Sequence, residues 1–174
     1  KGVKNLANMI GFNFQLGEIE AAIGRAQLKK GPPLIRQRQD NVRYLEAKLA
    51  GIDGLSMPKV GPADDHVYYV HAMSYDAKAT GVGRETFVKA IKAELAPTAL
   101  REQEGVLMGM GYVKPIYLAP MYRELAGYGE VGCPFLCPHY KGKPDYGPGL
   151  CPNAEDAHFN RVVTHELMRP PMTR

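Results

Sequence analysis

The first strong pattern in the chain is an amphipathic helix that follows a glycine-containing turn. Apolar residues recur at three- and four-residue steps, at Leu16, Ile19, Ile23 and Ala26. This spacing places them on one face of an α-helix, which we expect to run from about residue 16 to residue 30. Because the first backbone N–H groups of a helix have no internal partner, the turn and the helix start are suited to an anion.

A second helix is predicted from about residue 34 to residue 50, after an interruption at Gly31-Pro32-Pro33. Proline removes a backbone donor and restricts the residue before it, so we expect the first helix to end there. The apolar positions of the second helix share one face; they are Ile35, Val42, Leu45 and Leu49. Two helices joined by a proline elbow are typical of a spacer between domains.

The rest of the apolar pattern predicts strands and one further helix. Residues 66–75 are rich in Val, Tyr and Met on both faces, which favours a strand in the middle of a sheet. A helix from about residue 84 to residue 96, ended by Pro97, precedes candidate strands at residues 112–118 and 166–168. Together these elements predict a small α+β layer domain.

Residues 121–153 break this regular pattern. They contain many of the glycines and prolines and all three cysteines. A loop of this length inside a compact domain is uncommon and usually functional. After the loop, Pro152 suits the start of a short helix.

Composition excludes several classes of protein. The net charge of +4 is mild and the basic residues are scattered, so we expect no nucleic-acid partner. No apolar run approaches the roughly 20 residues that span a bilayer, so we expect no membrane insertion. An odd count of three cysteines favours a reducing, cytoplasmic location over a disulfide framework. The chain opens on Lys1 with neither a strand nor a helix signal, so we expect it to begin inside a longer protein.

The cysteines are the clearest candidate for metal chemistry. Cys133, Cys137, His139 and Cys151 offer three thiols and an imidazole, a set of donors that Zn²⁺ accepts. However, each cysteine is followed by proline, which is unlike the tight knuckles of structural zinc sites. We therefore expect reduced cysteines packed in the loop, and no metal.

Three further residues invite a functional hypothesis. His66 and His71 are five positions apart in the predicted strand, so they point to opposite faces and cannot share one ion; we expect His71 in a core or an interface. Tyr117 either presents its hydroxyl to a ligand or is a tyrosine at a sheet edge.

Gly81-Val-Gly83 is too short for a nucleotide-binding fingerprint and is expected to lead into a helix.

With these segments in view, the chain resembles the DegT family of pyridoxal-phosphate-dependent sugar aminotransferases over almost its whole length. No single motif decides this, but the matching pieces occur in the family's order. They are Gly11-Phe-Asn-Phe with the helix after it, Gln27-Leu28-Lys-Lys, Arg36-x-Arg38-x-x-Asn41, His66-Val-Tyr-Tyr, Gly83-Arg84-x-x-Phe87, Pro115-Ile-Tyr117-x-x-Pro120, Cys151-Pro-x-Ala154-Glu155 and Arg169-Pro-Pro171.

The resemblance implies a fold-type-I, pyridoxal 5′-phosphate (PLP) enzyme, usually a homodimer. It exchanges an amino group between an amino acid, commonly glutamate, and a keto group on a nucleotide-linked sugar. In this family the lysine that carries PLP as a Schiff base lies some tens of residues before the Gly-aromatic-Asn segment, and Lys1 and Lys4 are too close to it. We therefore expect the C-terminal part of such an enzyme, without catalytic residues and inactive alone. Residues 1–33 would end the large domain and form a helical arm, and residues 34–174 would form the small α+β domain.

The resemblance also implies roles for two residues. Asn13 matches an asparagine that reaches the cofactor phosphate of the neighbouring subunit, although a turn asparagine that bonds its own backbone is the alternative. Many members have arginine where this chain has Gln15, which puts a substrate-phosphate role there in doubt. Tyr117 and residues 121–150 match the region that borders the sugar pocket, so Tyr117 is a candidate substrate-binding residue.

Two rival functions remain open at this stage. A sugar dehydratase of the same fold, in which histidine replaces the lysine, differs from the aminotransferase only upstream of the present chain. A non-catalytic binding or regulatory module, holding zinc through the cysteines, comes from a different class of protein.

Overall fold

The computed structural model describes residues 16–96, 105–129, 132–170 and 172, and the chain divides into two compact units. One unit contains, among these residues, 113–129 and 132–158. The other contains 16–96 and 105–112, followed by the C-terminal segment from residue 159.

The larger unit combines helices with an antiparallel sheet. Its elements are α1 (Glu18–Leu28), α2 (Gly31–Leu49), β1 (Leu55–Ser56), β2 (His71–Tyr75), α3 (Ala77–Thr80), α4 (Arg84–Glu94), β3 (Met108–Met110) and β4 (Val162–His165). The sheet order is β1-β2-β4-β3, and each neighbouring pair is antiparallel. This mixture of helices and a small antiparallel sheet confirms the predicted α+β class, and β2 is an inner strand as predicted.

The smaller unit is mostly irregular. It contains a 3₁₀ turn (Ile116–Leu118), α5 (Pro120–Arg123) and α6 (Pro152–Asp156), and a π-helical turn (Ala157–Arg161) then leads into β4. Pro152 lies at the start of α6, as predicted from its fixed φ angle. The predicted loop is confirmed as largely turns and bends between α5 and α6.

The register of β2 against β4 builds the main core of the larger unit. Met73 pairs with Val163, and both side chains are almost completely buried. Because side chains alternate along a strand, Tyr75 points to the same face as Met73. There it stacks on Phe87 of α4 with ring centroids 4.4 Å apart. Val88, one residue further along α4, is buried in the same cluster.

A second apolar cluster holds α2 against the C-terminal segment. Val42 is fully buried and packs with Tyr68 and Met168. One residue before Val42, the Asn41 side-chain amide donates to the carbonyl oxygens of Met168, at 3.1 Å, and Met172, at 3.0 Å. These bonds satisfy two backbone acceptors outside regular secondary structure.

A chain of hydrogen bonds also crosses from α2 to the sheet. Glu46 Oε1 lies 2.9 Å from His71 Nε2, and His71 Nδ1 lies 2.8 Å from His165 Nε2. The backbone N–H of Leu167 donates to His165 Nδ1 at 3.2 Å. Because Nδ1 of His165 accepts this bond, the single ring proton of His165 is on Nε2. This N–H group donates to His71 Nδ1. The proton of His71 is therefore on Nε2 and is donated to Glu46.

Both imidazoles are consequently neutral in this arrangement. Burial is the main reason that the pKa of His165 is lowered to about 3, and the neighbouring His71 lowers it further. The expectation that His71 is a core histidine is confirmed, because its side chain is fully buried. His66 lies outside β2, and its Nδ1 accepts from the backbone N–H of Tyr68 at 2.9 Å.

Helix α1 differs from α2 in having no buried residue. The predicted apolar face exists, but it is open to solvent in this chain. Its exposed members include Leu16 and Ile19, each 76% exposed, and Ile23 at 56%.

The predicted strand at residues 66–75 was too long at its start. Tyr68 has a positive φ of 50°, a left-handed conformation that breaks an extended chain and directs its ring into the cluster with Val42. Only His71–Tyr75 is paired as a strand. The sequence therefore predicted the strand correctly, but the tyrosines before it made the predicted strand begin too early.

The two later strand predictions were wrong in position. At residues 112–118, Val113 has a positive φ of 41° and Pro115 lacks a donor, so the chain turns; the paired strand is Met108–Met110. At residues 166–168, Arg169 N–H bonds back to Glu166 and closes a turn, and the strand is Val162–His165.

The helix boundaries differ in smaller ways. Pro32 and Pro33 lie within the first turn of α2, where a missing N–H removes no helical bond, so the helix begins at Gly31 rather than after the prolines. Helix α4 ends at Glu94, and Pro97 lies outside the described residues. Short helix α3 was not predicted, although Asp76 caps it by accepting from the N–H groups of Lys78 and Ala79.

The core predicts a clear stability difference between two adjacent valines. Val163→Ala leaves a cavity at a fully buried site and should lower the free energy of unfolding by about 2 kcal/mol. Val162→Ala, on the opposite and partly exposed face, should cost well under half of that. Urea unfolding followed by circular dichroism measures both, and equal losses would contradict the assignment of the buried face.

Candidate functional site

Tyr117 lies in the 3₁₀ turn of the smaller unit, directly after Lys114-Pro115-Ile116. Pro115 precedes the turn and Pro120 starts α5, so prolines restrict the backbone on both sides. The Tyr117 ring is buried, and its hydroxyl donates to Glu155 Oε1 at 2.5 Å. The alternative of a strand tyrosine at a sheet edge is wrong, since this segment turns instead of pairing.

Glu155 collects several donors around one carboxylate. Besides Tyr117, the backbone N–H of Gly149 donates to Oε1 at 2.6 Å, and the Cys151 N–H also bonds the carboxylate. Gly149 has a φ of +93°, which a residue with a side chain rarely adopts, and this turns its N–H toward α6. The carboxylate thus ties the end of the loop to the Tyr117 turn.

The proton of this pair stays on the phenol. Burial and the hydrogen bond to Glu155 raise the pKa of Tyr117 to about 12. The same bond, with the Gly149 and Cys151 amides, lowers the pKa of Glu155. At neutral pH the Tyr117 hydroxyl is therefore neutral with its hydrogen engaged, and its oxygen lone pair is what it offers a ligand. The Tyr117 hydroxyl is therefore suited to position a ligand as part of a pocket wall, and it is not suited to act as a general acid.

Aromatic rings fill the loop of the same unit. Tyr122 of α5 lies 5.3 Å from Tyr146 and 6.0 Å from Phe135, measured between ring centroids. Phe135 and Tyr146 meet edge to face at 6.0 Å. Such contacts explain how a segment without regular secondary structure keeps a defined conformation.

The cysteines are free thiols in the structure. Cys133 and Cys137 interact with each other: the hydrogen bond from Cys133 lowers the pKa of Cys137, and the same contact raises the pKa of Cys133. Across the part of the chain that the structure describes, no group of three or more His, Cys, Asp or Glu side chains is arranged to hold a metal ion.

The described residues do not by themselves fit PLP. Asn13, the predicted phosphate ligand, lies outside the described residues, so its role stays a prediction. The N-terminal turn of α1 carries Glu18 and Glu20, whose negative charges already complement the helix dipole and would repel a phosphate. Because the turn before α1 lies outside the described residues, the expected anion site stays a prediction.

No described lysine is placed to hold the cofactor either. Every lysine between residues 16 and 172 that the structure describes is exposed. A lysine that carries PLP works in a site from which water is largely excluded. The absence of a cofactor lysine from this chain stays a prediction.

Comparison with known proteins settles the family. The profile of the DegT/DnrJ/EryC1/StrS aminotransferase family matches residues 1–137 of this chain. The chain belongs to this family. The predicted resemblance is thus confirmed, and the matched range contains helices α1 to α5, the strands β1, β2 and β3, and the Tyr117 turn.

Similar proteins are distant and much longer. The chain is 24% identical over 114 residues to the spore coat polysaccharide biosynthesis protein SpsC of Bacillus subtilis. It is 21% identical over 114 residues to the uncharacterized protein MJ1066 of Methanocaldococcus jannaschii. In both cases the match covers 66% of this chain and 27% of the relative, so the matched region spans about a quarter of each relative's length.

A solved structure shares the fold over the full chain. The crystal structure of S. venezuelae DesV, in complex with a ketimine intermediate, superposes with a TM-score of 0.64 and 20% identity. The superposition covers 100% of this chain and 37% of DesV. At this identity the similarity supports the fold and nothing finer.

No helix in the described part of the chain has the length and apolar character to cross a membrane.

Sequence reasoning singled out Tyr117 but gave no role to Glu155. Glu155 was visible only as part of the Cys151-Pro-x-Ala-Glu segment, 38 residues from Tyr117. The signal that could have found it is the glycine and proline pattern of residues 147–152, which predicts a tight turn directly before the carboxylate.

The Tyr117–Glu155 bond predicts a measurable change on removing the hydroxyl. Tyr117→Phe should raise the pKa of Glu155, because the hydrogen bond that contributes most to its lowered pKa is lost while the Gly149 amide remains. At pH values above the pKa of an unfolded glutamate, the variant should therefore be less stable than the wild type. In acid, where the carboxyl is protonated, this difference in stability should vanish. NMR titration of Glu155 and urea midpoints measure this.

Tyr128→Phe, which removes a hydroxyl from a half-exposed tyrosine in the same unit, is the matched control and should change neither quantity. An unchanged Glu155 titration in Tyr117→Phe would contradict the hydrogen bond.

Proposed function

We propose that this chain is the C-terminal part of a PLP-dependent aminotransferase that transfers an amino group, from glutamate, to a keto group of a nucleotide-linked sugar. The observation that carries the proposal is the family match over residues 1–137 of 174. The cofactor, when bound, supplies the electron sink for amino transfer. The activity belongs to the longer protein, since the described residues offer no cofactor lysine; the chain alone is inactive.

The different packing of the two N-terminal helices supports the proposed domain division. Helix α1 has no buried residue, whereas α2 is anchored to the sheet unit through Val42, Asn41 and Glu46. We propose that residues 1–33 belong to the large domain and its helical arm. Residues 34–174 then form the small domain.

The exposed face of α1 supports a homodimer. Ile19 and Ile23 of α1, and Leu16 just before the helix, are each more than half exposed. Contiguous apolar surface of this kind is usually covered by a protein partner. We propose that it contributes to the subunit contact, and that Asn13, four residues before Gly17, reaches the cofactor phosphate of the neighbouring subunit from there.

Tyr117 is proposed to form part of the wall of the sugar pocket. Its hydroxyl hydrogen is engaged by Glu155, so it contributes a fixed ring and an acceptor lone pair to a sugar. Reduced thiols at Cys133, Cys137 and Cys151 agree with the cytoplasmic location that we propose.

The proposed activity is tested in the full-length protein with PLP. Glutamate and a nucleotide-linked keto sugar should yield 2-oxoglutarate, and Asn13→Ala should weaken cofactor binding about tenfold by removing a charge-assisted donor to the phosphate. Absorbance titration with PLP measures the affinity, and Asn8→Ala in the same segment is the control. Unchanged affinity would contradict the role of Asn13, and release of water from the sugar without glutamate consumption would favour the dehydratase.

The proposed contact surface is tested separately. Ile19→Ser with Ile23→Ser removes apolar area from α1 and should raise the dimer dissociation constant of the full-length protein at least tenfold. Sedimentation equilibrium measures this constant. The control pair Ile52→Ser and Val60→Ser lies on exposed positions outside α1, and equal weakening by both pairs would contradict the proposal.

A further inference from the structure

Cys133 and Cys137 lie together in the loop of the smaller unit and have no part in the proposed amino transfer. Cys133 is partly buried and Cys137 is 8% exposed, whereas Cys151 is exposed. All three are free thiols in the structure. Buried thiols are usually inert packing groups, so a functional interpretation needs a specific arrangement around the sulfur atoms.

The backbone brings Cys133 and Cys137 to the same side of one turn. The carbonyl oxygen of Gly132 accepts hydrogen bonds from the N–H groups of Phe135 and Leu136, each at 3.0 Å, which closes a helix-like turn. Residues four positions apart on such a turn are neighbours, and the two cysteine side chains are in hydrogen-bonding contact. Their Cβ atoms are expected about 5–6 Å apart and a disulfide needs about 4 Å, so a small movement joins the sulfur atoms.

The surrounding contacts hold this turn in place. Tyr128 and Cys133 form an isolated antiparallel bridge, in which the Tyr128 N–H donates to the Cys133 carbonyl oxygen at 2.6 Å and the Cys133 N–H donates back at 2.9 Å. Between the cysteines, Phe135 is buried and its ring packs against that of Tyr122. The two thiols are therefore kept close to each other in the folded chain.

We propose that Cys133 and Cys137 form a reversible redox-modification site, at which a small hydroperoxide joins the two sulfur atoms in a disulfide. The oxidant is a small molecule because little of Cys137 is open to solvent, and a bulky oxidant would not reach its sulfur atom. This inference does not depend on the proposed aminotransferase activity.

Cys137 is the nucleophile of the pair. The hydrogen bond from Cys133 lowers the pKa of Cys137, and the backbone N–H groups of His139 and Tyr140 lower it further, although burial opposes them. The same thiol contact is the main reason that the pKa of Cys133 is raised, so Cys133 keeps its proton. Because the thiolate is the reactive form of cysteine, Cys137 reacts first and Cys133 second.

The oxidation takes place in two balanced steps. The Cys137 thiolate attacks one oxygen of hydrogen peroxide; the O–O bond breaks, a sulfenic acid forms and hydroxide leaves. The Cys133 sulfur then attacks the Cys137 sulfur, so that an S–S bond forms and the S–O bond breaks. The hydroxyl group leaves as water with the proton of the Cys133 thiol, and the two electrons lost by the thiols have reduced the peroxide. A thiol of low molecular weight restores both cysteines by thiol–disulfide exchange.

Mass spectrometry of the full-length protein tests the site, because one tryptic peptide, residues 124–141, contains both Cys133 and Cys137 while Cys151 lies in a later one. After brief treatment with hydrogen peroxide at neutral pH and then iodoacetamide, this peptide should be unalkylated and lighter by two hydrogen atoms. Dithiothreitol before the alkylation should restore both labels. A peptide that stays fully alkylated, or that gains oxygen atoms instead of losing hydrogen, would overturn the proposal.

The rate of disulfide formation should depend on the fold. It should be about tenfold higher in the native protein than in urea, because the native turn lowers the pKa of Cys137 and holds Cys133 beside it. An equal rate in urea would mean that the short spacing in the sequence is sufficient, and it would contradict a site built by the structure.

Serine variants separate the roles of the three cysteines. Cys133→Ser should stop at a sulfenic acid on Cys137, which dimedone traps, because no second thiol remains. Cys137→Ser should react with peroxide about tenfold more slowly, because the lowered pKa belongs to Cys137. Cys151→Ser is the matched control and should form the disulfide at the wild-type rate. Equal peroxide reactivity of Cys133→Ser and Cys137→Ser would contradict the assigned order, and the wild-type measurement decides the site even if a variant does not fold.

Discussion

The structure depends on the pairing of β2 with β4, in which the paired residues His71 and His165 are 94 positions apart. This pairing places Met73 against Val163 and His71 against His165 in one register. A shift by one residue would exchange the buried and exposed faces of both strands, so the core strongly specifies the register. The packing of α4 on Tyr75 and the docking of α2 on the C-terminal segment both follow from this alignment.

Hydrogen bonds from polar side chains hold several segments in place in addition to the apolar core. Asn41 and Arg38 satisfy backbone carbonyls in irregular segments, and the His71–His165 pair extends the contact between α2 and the sheet as a directed set of hydrogen bonds. In the smaller unit, Glu155 has the same function for the loop, since one carboxylate receives Tyr117 and the Gly149 amide. Buried polar groups of this kind are costly when unpaired, and each therefore restricts the conformations its segment can adopt.

The sequence predicted which segments form the candidate site, but it did not predict which side chains interact there. The family resemblance marked Tyr117 and the loop that follows, and the structure shows that Tyr117 already has a partner in Glu155. No periodicity in the sequence relates two residues 38 positions apart, because their contact depends on how the loop folds back. Asn13 stays a prediction, since it lies outside the described residues.

The sequence by itself determined the family, the α+β class, the two N-terminal helices and the inner strand at residues 71–75. These follow from local apolar spacing and ordered motifs, which act over a few residues. Tertiary structure decided where the other strands lie: positive φ angles at Tyr68 and Val113 turn the chain where β-favouring residues predicted extension. It also decided that the apolar face of α1 remains exposed, whereas that of α2 is at least half covered and its Val42 is fully buried. Both helices have the same pattern, and only the position of a complementary surface distinguishes them.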